Sequence, residues 1–114
     1  MSEVLEVGGR RIEVDAEGFL LDPADWDEAV AEAIAAREGI ALTDEHWAVI
    51  RFMRAWLDEH GVAPAVRHAI RFVSEALGKG REGHNHLFRL FPLGYMQQAC
   101  KIAGMRRPRA WSTG

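Results

Sequence analysis

Cysteine is almost missing from this chain: among 114 residues there is one, Cys100. A lone thiol excludes an intramolecular disulfide and any metal site built on several thiolates, and it suits a reducing compartment. Long apolar runs are absent as well, since none approaches the ~20 residues needed to span a bilayer. The opening Met-Ser-Glu-Val brings an acid where a secretory leader carries basic residues and a long apolar stretch, so a cytoplasmic protein without membrane business is expected. Acids run out toward the C-terminus. From Lys79 onward Glu82 stands alone against seven Lys and Arg, whereas residues 1–78 hold sixteen Asp and Glu against seven Lys and Arg. A net charge of −3 therefore conceals an acidic body and a basic end. Such an end either meets something anionic, a protein surface or a nucleic acid, or folds back on the acidic body. With 48% hydrophobic and 27% charged residues the chain can bury one modest core, which makes a single globular domain the expectation.

Two apolar-alternating strings, Val4 to Val7 and Arg11 to Val14, flank Gly8-Gly9 and predict a two-stranded hairpin, because a tight turn needs the positive φ that glycine reaches. Asp15 to Gly18 is a second turn, and Phe19-Leu20-Leu21 a short apolar lid. Trp26, Ala29, Val30, Ala33 and Ile34 recur at helical steps, so a first helix is expected over 23–38 with Gly39 as its stop. Thr43 caps a second, whose wide apolar face (Trp47, Val49, Ile50, Met53, Trp56, Leu57) reads as the central helix; Arg51, Arg54 and Asp58 share its other face as solvated charges. Pro64 opens a third helix that ends at Gly78, and the corner at His60 to Ala63 gives a helix-turn-helix-like unit with Arg67 and Arg71 on its second helix. Gly78 to Gly83 reads as a flexible loop, Asn85 as the cap of a short helix over 86–91, and Tyr95, Met96, Ala99, Cys100 and Ala103 as a helical stripe from Gly94 to Gly104. The domain is thus expected over 1–104, with 105–114 a basic arm.

Chemistry-bearing residues are few. Cys100 is the one strong nucleophile, active as thiolate; Lys101 and the arginines after it favour the anion, while its place near a helix C-terminus disfavours it. Its stripe with Met96 and Ala103 equally suits an inert core thiol. Of five histidines only His84 and His86 lie close together, too few for a metal site, and no cofactor is implied. Carboxylate pairs such as Asp25 with Asp27 sit at helix ends and serve the dipole. Trp26, Trp47 and Trp56 fall on core positions, whereas Trp111 lies in the basic arm, as an anchor to the body or a partner contact.

The strings Leu90-Phe91-Pro92-Leu93-Gly94 and Gln98-Ala99-Cys100-Lys101-Ile102-Ala103-Gly104 resemble the signature of the DsrC/TusE family of sulfur-carrier proteins. Upstream matches are Glu17-Gly18-Phe19-Leu20, Trp26, Glu38-Gly39-Ile40 with Leu42-Thr43, His46-Trp47 with Val49 to Phe52, and Ala63-Pro64 with Arg67. The resemblance implies a mainly α (α+β) fold, a small orthogonal helical bundle with an N-terminal β-hairpin and a C-terminal arm. It implies a persulfide carrier serving dissimilatory sulfite reductase or the tRNA 2-thiouridine machinery, with TusBCD- or MnmA-like relay partners, used stoichiometrically and without a turnover pocket. In the family the main carrier is a penultimate cysteine, with a second about eleven residues earlier in sulfite reductase partners. Cys100 matches the earlier position and Trp111 stands at the later one, so the two-cysteine chemistry cannot run within one chain. Cys100 is then the sole sulfur acceptor to expect, with Lys101, Arg106, Arg107, Arg109 and Trp111 as partner-binding residues. The alternative is a regulatory or docking paralogue without sulfur chemistry, which binds a family partner or DNA through the helix-turn-helix-like corner.

Overall fold

The computed structural model describes residues 3–106. The hairpin forms as the glycine pair dictates. β1 (Glu3–Val7) pairs antiparallel with β2 (Arg10–Val14), Val7 opposite Arg10, and both turn residues take positive φ, 53° at Gly8 and 83° at Gly9. Leu5, Val7, Ile12 and Val14 point from one face into the core, and Leu20 bridges back to Val14, so Phe19 and Leu20 close over that face, while Leu21, the third residue expected in this lid, is exposed.

The first helix is shorter than its apolar spacing predicts, because two aspartates cap in succession. Asp22 caps a 3₁₀ turn (Pro23–Asp25), the chain extends at Trp26, and Asp27 accepts the Val30 N–H to start α1 (Glu28–Arg37). A side-chain acceptor at each start outcompetes helix continuation. The break turns the buried stripe to Val30, Ala31, Ile34 and Ala35, and leaves Ala29 exposed. At the far end the N–H groups of Gly39 and Ile40 donate to Ala36 and Ala35, a Schellman closure.

α2 (Asp44–His60) starts at Thr43, as read from the sequence, and α3 (Val66–Ala76) follows the corner at Gly61. The Gly78 to Gly83 stretch is more ordered than its glycines suggest. A 3₁₀ turn over Gly80–Glu82 leads directly into α4 (Gly83–Leu90), and Asn85 lies inside that helix instead of capping it. Gly83 is there because α3 and α4 nearly touch: a Cβ on it would collide with the Ser74 hydroxyl and lie 3.0 Å from the Ile70 carbonyl.

The centre of the molecule is the last segment and not α2. A π-helical turn (Tyr95–Ala99) runs into the short helix α5 (Cys100–Ile102), and residues 98–105 are all buried. α2 contributes only Val49, Ile50 and Met53 to the apolar core. Its tryptophans, expected inside, are half-buried: Trp56 lies against His60 and His68 at ring distances of 4.3 and 4.4 Å, and Trp47 under Arg51 at 5.6 Å. Among the described residues no helix is long and apolar enough to cross a membrane.

Candidate functional site

Cys100 sits where the π-turn becomes α-helix. Its N–H donates to the Tyr95 carbonyl, closing the wider turn, and its own carbonyl accepts the Met105 N–H at 2.9 Å. With Gly104 N–H on Lys101 at 3.1 Å this is a Schellman motif, and Gly104 supplies the left-handed residue that it requires, at φ +76°. Isolated π-turns inside helices gather at functional positions. The thiol itself has no solvent exposure, and burial pushes its pKa up to about 12 from an ordinary 9.0. It is neutral and shielded in this conformation.

The neighbours of Cys100 are tied to distant parts of the chain. Tyr95 is buried and donates its hydroxyl to the Pro64 carbonyl at 2.7 Å; burial and then the nearby thiol raise its pKa. Gln98 accepts the Leu93 N–H at 3.1 Å and donates to Glu38 at 3.2 Å. Lys101, which the sequence presents as support for a thiolate and as a partner contact, turns inward instead. Its ammonium pairs with the other oxygen of Glu38 at 3.2 Å, 5.5 Å from the Phe19 ring centre, and only 9% of its side chain is exposed. A carboxylate already fixed at the end of α1 is the stronger partner for a buried cation than a neutral thiol. Gly18 lies over its stem, where a Cβ would come within 3.3 Å of Cδ. A small cavity of about 110 Å³ remains between Glu17, Gly18, Arg37, Glu38 and Lys101.

Two further residues hold the end of α5. The Trp26 indole N–H donates to the Ile102 carbonyl at 2.9 Å, and Arg54 donates to the Ala103 carbonyl at 2.7 Å. The Arg54 guanidinium also lies 3.8 Å from the Trp26 ring centre, and burial lowers its pKa, partly offset by Asp58. Arg54 is thus a structural donor, where a solvated pair with Asp58 was expected. His46 holds the entry to the segment. Its Nδ1 accepts the Thr43 N–H at 3.0 Å, so Nε2 carries the proton and donates to the Leu90 carbonyl at 2.8 Å.

Arg106 is exposed; Arg107, Arg109 and Trp111 lie outside the described residues. Among the described residues no three His, Cys, Asp or Glu side chains converge as a metal would need, and His86 is bonded to Glu45 at 2.7 Å. A groove of about 420 Å³ between Val66, Ile70, Phe88 and Leu93 reaches Tyr95 but is not lined by Cys100.

Comparison with known proteins decides what this arrangement belongs to. The family model described as DsrC like protein matches residues 6–110. The chain belongs to the DsrC/TusE family. Sulfurtransferase TusE of Yersinia pestis is 43% identical over 105 residues, which cover 92% of this chain and 96% of that protein. The oxidized gamma-subunit of the dissimilatory sulfite reductase (DsrC) from Archaeoglobus fulgidus superposes with a TM-score of 0.83 at 38% identity, over 95% of this chain and 98% of that one. DsrC of Allochromatium vinosum gives the same TM-score and identity, over 96% and 98%. The mainly α fold with its N-terminal hairpin is the DsrC/TusE fold, and the upstream strings quoted above acquire a physical meaning in it. Gly18, Trp26, Glu38, His46 and Pro64 each touch a residue between Leu90 and Gly104. None of these five contacts is legible in the sequence, because a contact across such separations leaves no local periodicity.

Proposed function

We propose that this chain is a sulfur-relay protein of the DsrC/TusE kind and that Cys100 is the group which takes up sulfur. The observation that carries this reading is the position of the one thiol, at the helix end from which the C-terminal segment leaves. In the loading step the Cys100 thiolate attacks the outer sulfur of a donor persulfide. An S–S bond forms at Sγ, the donor S–S bond breaks, and the proton given up by Cys100 ends on the released donor thiol, with no net oxidation. The partners are proteins of sulfur transfer, a dissimilatory sulfite reductase or TusBCD- and MnmA-like relay proteins. Arg106, Arg107, Arg109 and Trp111 are the residues offered to them, and transfer is stoichiometric.

The complete burial of Cys100 favours a second reading, a paralogue that docks on the same partners without carrying sulfur. Intact mass after incubation with glutathione persulfide separates the two. A gain of one sulfur in the wild type and none in Cys100→Ser supports the carrier. No gain in either leaves the docking role.

A further inference from the structure

An α-helix leaves four carbonyls without partners at its C-terminus, usually for water. At the end of α5 all four are taken within the fold: Cys100 by Met105 N–H, Lys101 by Gly104 N–H, Ile102 by the Trp26 indole and Ala103 by Arg54. Two of these donors are local and come with the Schellman turn. The other two are long side chains sent from the broken first helix and from α2. They also stack on each other, and Gly104 packs so closely on the indole that a Cβ would lie 2.6 Å from Trp26 Cγ and 2.9 Å from its Cβ.

We infer that Trp26 and Arg54 are positioning residues for sulfur loading: they latch the last turn of α5, and release of that latch is the route by which Cys100 becomes accessible. This deepens the carrier reading and rests on it for its purpose, but the latch itself is a statement about access. Cys100 carries the carbonyl on which the turn closes, so it loses that hydrogen bond when residues 102–105 peel away. Opening draws Ile102, Ala103 and Met105 out of the core. The pairing of β1 with β2 and the contacts of β1 with α1 and of α2 with α3 do not pass through these residues, so the opening is local and not global unfolding. A partner that binds the segment after Met105 would pull on this turn directly.

The test uses the single thiol as its own reporter. Native-state alkylation of the whole chain by iodoacetamide is followed by intact mass in the wild type, Trp26→Phe and Arg54→Met, beside urea denaturation of each. Trp26→Phe keeps a ring but loses the donor, and Arg54→Met keeps the stem. Each is expected to label roughly tenfold faster, the effect of losing one net hydrogen bond from a closed state. Hydrogen exchange should show lost protection at the Gly104 and Met105 amides with α2 amides unchanged, and Arg54→Lys should restore slow labelling in part. Labelling that is unchanged, or that rises only in proportion to lost global stability, overturns the latch. A parallel incubation with glutathione persulfide keeps the two ideas apart. Faster alkylation without sulfur uptake upholds the latch and removes the carrier role; sulfur uptake without faster alkylation does the reverse.

Discussion

At Cys100 the same burial that protects the thiol makes its reaction diagnostic. The thiolate is the reactive form, and in the closed conformation it appears only near pH 12. If alkylation passes through an opened state, the rate climbs about tenfold per pH unit and bends near the ordinary thiol value of 9.0. Reaction without opening would bend near 12 instead. Linkage gives a companion sign. The folded state holds its proton above the pH at which the unfolded state loses it, so stability is intact below 9.0 and falls as pH rises toward about 12. Cys100→Ala removes that decline, which urea melts across the range will register. Lys101 shows how position can mislead a reader of sequence. Beside a cysteine and before several arginines it looks like an exposed cation, yet it is locked to Glu38. Lys101→Met strands a carboxylate that is only 17% exposed and is expected to cost about 3 kcal/mol, much of it recovered in the double variant with Glu38→Gln, as measured by chemical denaturation.

Local rules read well where each segment decides its own conformation. The Gly8-Gly9 turn, the Thr43 cap and the stop at Gly61 are all visible in the string, because the determining groups lie within four residues of each other. They fail where two segments decide together. The break at Trp26 and the π-turn at Tyr95–Ala99 both serve contacts with remote partners, Ile102 in one case and Pro64 in the other, and neither alters the apolar spacing enough to be noticed. The start of α4 is a third example, and it can be tested. By intrinsic propensity Gly83→Ala should stabilise a helix by up to about 1 kcal/mol. The close approach of α3 reverses that, since the added methyl meets Ser74 and the Ile70 carbonyl, and overpacking of this kind costs about 1–3 kcal/mol. The expected result is a lower urea midpoint for Gly83→Ala, partly restored when Ser74→Gly is added, with a non-additive cycle showing that the two positions meet.

Across the molecule, charge is sorted in a way that composition alone only hints at. Among the described residues Lys79 and Lys101 are held by Glu45 and Glu38 of the acidic body and Arg89 by Glu82, each at 3.2 Å, so part of the positive excess after Gly78 is neutralised by the fold itself. Arg106 is exposed and has no ion-pair partner among the described residues, and Arg107 and Arg109 follow it in sequence. If Arg106, Arg107 and Arg109 are offered to a partner as proposed, their charge would steer an acidic one toward this end of the chain. Steering of this kind acts on the association rate, falls with ionic strength and leaves folding untouched. Replacing Arg106, Arg107 and Arg109 by Ala should therefore slow association with such a partner roughly tenfold at low salt. The dissociation rate and melting temperature should stay close to wild type. In about 1 M salt, where the Debye length shrinks to ~3 Å, the two proteins should associate equally fast. Stopped-flow mixing over a salt series decides the matter: if wild type and variant share one slope, the basic end does not guide docking.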